Sequence, residues 1–241
     1  MTGTLYGIGL GPGDPELLTL KAHRLITNAS TIAYPSAIDT PSFARSIAKD
    51  YIREGLREIP MPMPMKTDRF PAIEVYERAA KEIAEVLQTG EDVHVLCEGD
   101  PFLYGSFMYL YERLVDRFPC EIVPGVSSIM ACGAALGRPT ASRNDVLTVI
   151  PGPLENERIK DLLNASEATV IMKVGRHLPR LKALLKEIGL SESAGYVERA
   201  SLPEMKVLPL SAVEDAKAPY FSMILIYRGS EAWSLPQQFL S

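Results

Sequence analysis

Three short turns hold the residues of this chain best placed for chemistry: Gly9-Leu10-Gly11-Pro12-Gly13-Asp14-Pro15, Glu98-Gly99-Asp100-Pro101 and Val123-Pro124-Gly125-Val126-Ser127-Ser128. Each follows an apolar run that reads as a β-strand. Glycine lets a backbone turn tightly or approach a ligand closely, and proline fixes its course, so a plain tight turn is the competing reading of the first of them. Asp100 adds a carboxylate for which helix capping is the competing role, and Ser127 and Ser128 add hydroxyls that are equally good N-caps. Ligands of open α/β sheets bind beyond the carboxyl ends of the strands, so three turns of this kind describe one pocket.

Other chemistries fit less well. Gly7-Ile8-Gly9-Leu10-Gly11 has the spacing of a nucleotide-binding loop, but the dinucleotide frame needs glycine where Pro12 or Asp14 stands. Tyr34-Pro35 closes the second strand where a ribose-binding carboxylate belongs, and the acidic residue that precedes the glycine loop of common Rossmann-like methyltransferases is missing. His23, His94 and His177 share no metal or triad spacing, so neither a metal site nor a catalytic base is indicated. Cys97, Cys120 and Cys132 lie far apart in apolar segments and read as reduced structural thiols.

The elements that must position the turns alternate along the chain. Strands are expected at residues 4–10, 31–34, 92–97 and 121–123, with amphipathic helices at 17–29 and 71–89, giving a parallel βαβ half. A helix over 129–136 opens the second half, followed by strands at 147–150, 169–174, 195–198 and 221–227 and helices at 156–164 and 178–188. Its last strands have little helix between them, which predicts a mixed sheet. With 241 residues, two α/β lobes are expected, 1–122 and 123–241. The alternating prolines of Ile59-Pro60-Met61-Pro62-Met63-Pro64-Met65 exclude helix and central strand, and predict an extended linker or an apolar wall of the cleft.

Composition narrows the partners. Hydrophobic residues make up 46% of the chain and charged residues 23%, and no apolar run reaches membrane-spanning length, so no membrane span is expected. A net charge of −5 without a basic cluster argues against a nucleic-acid partner. The first residues have no basic region or cleavage site of a secretory signal, so a cytoplasmic location is expected.

Taken together, the turns and their surroundings resemble the tetrapyrrole methylase family of S-adenosylmethionine-dependent enzymes. The resemblance runs from residues 9–22 (GLGPGDPELLTLKA), through 96–110 (LCEGDPFLYGSFMYL) and 123–128, to 197–200 and 221–226. Residues 98–110 are similar to the branch that methylates C20 of precorrin-2 on the route to cobalamin; the Arg-Gly-Gly-Glu-Glu run of the uroporphyrinogen branch is absent. The family implies a two-lobed α/β fold with a ligand cleft between the lobes, S-adenosylmethionine as methyl donor, and a homodimer. It implies cofactor contact, largely through main-chain groups, at Pro12, Glu98, Gly99, Asp100, Leu103, Ser127 and Ser128, and in the second lobe at Met172, Ala200 and Ser222. The product would be precorrin-3A. Cobalt-factor II as acceptor, and a non-enzymatic tetrapyrrole carrier, are the alternatives. A tetrapyrrole fringed with carboxylates must meet cations, for which Arg138, Arg143, Lys173 and Arg176 are the candidates. The apolar, aromatic stretch 102–111 exceeds what one amphipathic face needs and is the expected dimer surface, with burial inside the first lobe as its other reading.

Overall fold

The computed structural model describes residues 1–37, 40–63, 70–214 and 216–229, with backbone alone for residues 70–72. The chain divides into two compact units, Met1–Ser127 and Ser128–Ser241.

The first unit runs β1 (Leu5–Gly9), α1 (Leu20–Asn28), β2 (Thr31–Ala37), α2 (Phe43–Ile47), β3 (Arg57–Met63), α3 (Phe70–Gln88), β4 (Val93–Cys97), α4 (Phe107–Leu114) and β5 (Cys120–Val123). All strands are parallel, in the order β3-β2-β4-β1-β5. The expected boundary after residue 122 therefore falls inside β5. Leu5, Val93 and Val95 face α3 and α4, while Ile8, Ile32 and Leu96 face α1 and α2, so the sheet is covered on both sides as a parallel sheet requires. Gly7 leaves room for the Phe107 ring, whose atoms would lie 2.5–2.7 Å from an added Cβ.

Two readings are corrected here. The proline run is no linker: residues 57–63 form the edge strand β3, paired with β2 from Thr31↔Arg57 to Ala37↔Met63. Successive residues of a strand present their N–H and C=O groups to opposite sides, so Pro60 and Pro62, sharing one parity, turn their missing donors to the unpaired edge while Ile59 and Met61 face β2. Pro64 and Met65 lie outside the described residues. The helix expected from residue 17 begins instead at Leu20, where the Thr19 hydroxyl accepts from the Ala22 N–H, because Asp14 caps a separate single turn at Pro15–Leu17.

The second unit runs α5 (Ser128–Ala135), β6 (Leu147–Pro151), α6 (Asn156–Asn164), β7 (Ala168–Met172), α7 (Leu178–Glu187), β8 (Ala194–Glu198), β9 (Lys206–Pro209) and β10 (Ser222–Tyr227). Its sheet is mixed, in the order β6-β7-β10-β8-β9, with β10 antiparallel to both neighbours. α6 and α7 bury Ile159, Leu163, Leu181 and Leu185 with Ile171, Tyr196 and Ile224. The opposite face packs Val170, Val197 and Leu225 against Ile129, Cys132 and Leu136 of the α5 segment. No helix among the described residues is long and apolar enough to cross a membrane, and no group of His, Cys, Asp or Glu among them could hold a metal ion. The three cysteines are unpaired, with Cys97 and Cys132 buried.

Candidate functional site

In the first unit the three turns are knitted together. They leave the adjacent strands β4, β1 and β5 at their carboxyl ends. Beyond β1, the Leu10 N–H donates to the Cys97 carbonyl at 2.9 Å, the Gly11 N–H to Gly99 at 3.2 Å and the Gly99 N–H back to Gly11 at 2.8 Å. Gly11 and Gly99 make this exchange with φ of 77° and 64°, a region open to glycine at little cost. The Asp100 carboxylate ties in the third turn: one oxygen accepts from the Phe102 and Leu103 N–H groups at 2.9 and 3.0 Å, the other from the Gly125 N–H at 3.1 Å. Asp100 is thus a clasp between loops and not the cap of α4, which starts at Phe107 after Ser106.

Glycine is required where these turns cross. A Cβ on Gly9 would lie 2.4 Å from the Gly125 nitrogen, and one on Gly125 would lie 2.0 Å from the Gly99 oxygen. Gly99 itself is different, with nothing within 4 Å of an added Cβ. The Cα of Gly99 thus faces open space on its Cβ side, while its N–H and carbonyl are taken up by Gly11. Pro12 is half-buried in the first turn, Leu103 is exposed beyond the second, and Ser127 follows the third, next to Ser128, the first residue of α5.

In the second unit the register places Met172, Ala200 and Ser222 at one end of the sheet. Met172 closes β7, Ser222 opens β10 opposite Glu198, and Ala200 follows Glu198 by two residues. The Ser222 hydroxyl is engaged, donating to the Pro219 carbonyl at 2.8 Å with the Tyr196 hydroxyl 3.3 Å away, so main-chain groups are what this position offers a ligand. Lys173 and Arg176, both exposed, follow Met172 at the same end.

The family profile of the Tetrapyrrole (Corrin/Porphyrin) Methylases matches residues 4–214. The chain belongs to this family. It is 42% identical over 235 residues to the cobalamin biosynthesis protein CobIJ of Mycobacterium tuberculosis, covering 94% of this chain but 46% of that protein, so the chain spans about half the length of this relative. It is 37% identical to a precorrin-2 C(20)-methyltransferase of Sinorhizobium, over 93% of this chain and 95% of the relative. It is 32% identical to a cobalt-precorrin-2 C(20)-methyltransferase of Salmonella typhimurium, over 94% and 97%. Among solved structures, the methyltransferase CobJ shares the fold with a TM-score of 0.71 at 20% identity, covering 95% of both chains. A uroporphyrin-III C-methyltransferase of Thermus thermophilus, complexed with S-adenosylhomocysteine, does so with 0.68 at 23% identity, covering 93% of this chain and 97% of that one.

Two of the candidate cations stand apart from Lys173 and Arg176. Arg138 is 7% exposed, and its guanidinium donates to the carbonyls of Ser193 and Leu225. Burial pulls it down to about 10. The residue is a brace inside the second unit, and the sequence disguised it because the carbonyls it serves lie far along the chain. Arg138→Met is expected to lower stability by about 3 kcal/mol, since two buried carbonyls lose their donors, as urea unfolding would measure. Arg143 belongs to the turn entering β6, where the Asp145 carboxylate accepts from the Ser142 N–H and the Tyr227 hydroxyl at 2.9 and 2.8 Å. Tyr227 ends β10, so this turn lies at the end of the sheet opposite Met172.

Glu98, between β4 and the Gly99 turn, has its carboxyl pushed above the usual carboxylate range by burial, against a weaker opposing pull from a hydrogen bond with the Ala44 backbone of α2. A raised folded-state value means that Glu98 contributes stability in acid, which is lost as pH rises through that value. Glu98→Gln keeps an acceptor for Ala44 and removes the buried charge. The variant is expected to be more stable than wild type at pH 8, with the difference shrinking as pH falls toward 4. Urea unfolding at the two pH values checks the sign.

Proposed function

We propose that this chain transfers a methyl group from S-adenosylmethionine to C20 of precorrin-2, giving precorrin-3A and S-adenosylhomocysteine. The observation that carries the reading is the 37% identity with the Sinorhizobium precorrin-2 C(20)-methyltransferase along nearly the whole of both chains. The open space beyond Gly99 supports cofactor binding there, held by main-chain groups of Pro12, Glu98, Gly99, Asp100 and Leu103 and by Ser127 and Ser128. Met172, Ala200 and Ser222 are assigned to the same ligand. When bound, the cofactor would supply a sulfonium methyl open to direct attack by an electron-rich ring carbon, with S-adenosylhomocysteine as the leaving group and the C20 hydrogen given up as a proton. The chain's own task is then to orient the reactants and exclude water rather than to generate a nucleophile, which accords with a site built of glycine turns.

The Salmonella relative's printed acceptor is the reason to keep a second reading, in which the acceptor already carries cobalt. Incubation with radiolabelled methyl donor and either metal-free precorrin-2 or its cobalt complex decides. Label entering the metal-free acceptor preferentially supports the proposal, preference for the cobalt complex supports the second reading, and no transfer to either overturns both.

A cytoplasmic homodimer is part of the same proposal. Phe102, Leu103, Tyr104, Met108 and Tyr109 form an exposed apolar run on the first unit, a surface that a second copy would cover. Light scattering is expected to return twice the chain mass of 26.5 kDa; the single mass across micromolar concentrations rejects the dimer.

A further inference from the structure

The end of the second sheet that carries Met172, Ala200 and Ser222 also holds residues to which the cofactor assignment gives no role. Lys173, Arg199 and Ser201 stand directly beyond β7 and β8 with φ of 58°, 49° and 67°. A left-handed backbone strains a non-glycine residue, and glycine would relieve that strain, yet two of the three positions hold cations. Arg199 is pinned on both sides: its N–H donates to the Phe221 carbonyl at 2.8 Å, and its own carbonyl accepts from Leu202 at 3.0 Å. The neighbouring Glu198 is already engaged, accepting from the Tyr196 hydroxyl at 2.7 Å and facing the Lys206 ammonium at 3.8 Å. The segment to which Arg199 is bonded also presents Tyr220, 80% exposed, its ring edge-on to Phe221 with centroids 5.0 Å apart. An arginine whose backbone is fixed, in a segment bonded to one that presents an exposed aromatic ring, suits a ligand that is flat and apolar in its body and carboxylated at its rim.

We infer that Arg199, with Tyr220, binds the tetrapyrrole acceptor, the guanidinium taking a rim carboxylate and the ring taking part of the macrocycle's edge or face. The inference rests on the methyltransferase reading above and moves the carboxylate-binding role from Arg138 and Arg143 to the end of the sheet where Lys173 and Arg176 also stand. Arg199 is a binding residue and takes no part in bond making.

Arg199→Gly is the informative variant, because glycine adopts the native φ more readily than arginine and the fold is kept. Its KM for precorrin-2 is expected to rise about tenfold with kcat within about twofold, the signature of lost uniform binding, while calorimetry returns the wild-type Kd for S-adenosylhomocysteine. Arg199→Lys, which keeps the charge and loses the fork, should fall between, and Arg158→Ala, removing an exposed charge from α6, should change nothing. Binding of uroporphyrin III, a carboxylated tetrapyrrole probe, followed by fluorescence, should weaken in parallel in Arg199→Gly and Tyr220→Ala. A folded Arg199→Gly protein with wild-type KM and wild-type uroporphyrin affinity overturns the inference and leaves the C20 reading intact. Wild-type protein that methylates neither acceptor but binds uroporphyrin through Arg199 overturns the C20 reading and upholds the inference; failure of both turnover and uroporphyrin binding overturns both.

Discussion

Asp100→Ala is expected to abolish measurable cofactor binding while the protein still folds. The carboxylate accepts from three backbone N–H groups, those of Phe102, Leu103 and Gly125, and each such charge-assisted bond contributes about 1.5–3 kcal/mol. Because the residue is half-buried, water replaces part of what alanine removes, so the expected loss of stability is about 2–4 kcal/mol rather than the sum. The binding loss should be larger, more than about a hundredfold, because the turn that carries Gly99 loses its tie to Gly125 and must be ordered at the expense of binding. Asp100→Asn keeps one oxygen but turns an amide NH2 toward a backbone donor, so it should recover only part of the stability and part of the affinity. Calorimetric titration with S-adenosylhomocysteine, together with urea unfolding, separates the two effects. A folded Asp100→Ala protein with wild-type affinity would show that the clasp does not shape the binding surface.

What the sequence disclosed and what it hid follow from the range of the interactions. Strands such as β1 and β10 and helices such as α6 and α7 were legible because their apolar periodicity is local, and the turn residues were legible because glycine and proline act on their own backbone. The short helix α2 has only five residues, Phe43–Ile47, too few for periodicity to register. It is held by tertiary contacts: the bidentate pairing of Arg45 with Glu58 at 2.7 and 2.8 Å and the bond from Ala44 to Glu98. The strand role of the proline run was obscured because edge and linker differ only in whether a neighbour lies alongside, although the common parity of Pro60 and Pro62 was the signal that one side of the strand remained able to pair. Arg138 illustrates the hardest case. Its sequence neighbourhood, a loop with Pro139 and Thr140, is that of a surface cation, and only the fold brings the carbonyls of Ser193 and Leu225 to it. Arg199 was passed over for the converse reason: a left-handed backbone at arginine has no sequence signature, since the type usually chosen for that conformation is glycine or asparagine.

Gly125→Ala and Gly99→Ala are expected to separate structure from binding within the same knot. The Cβ of Gly125→Ala would meet the Gly99 oxygen at 2.0 Å, the Gly9 Cα at 2.8 Å and the Gly9 carbonyl carbon at 2.9 Å. All three are backbone atoms, so no side chain can rotate aside and relief requires parting the ends of β1, β4 and β5. The cost should exceed about 4 kcal/mol, at the far end of what single substitutions do, and the variant should be largely unfolded or recovered only as aggregate. Gly99→Ala meets nothing within 4 Å, and its φ of 64° makes the penalty only about 1 kcal/mol. That variant should fold, yet its methyl group would occupy the open space assigned to the cofactor, so affinity for S-adenosylhomocysteine should fall at least about tenfold. Urea unfolding and calorimetry on both variants decide. If Gly125→Ala is as stable as wild type, the turns can part without penalty; if Gly99→Ala folds and binds with wild-type affinity, the space beyond Gly99 is not where the ligand approaches the backbone.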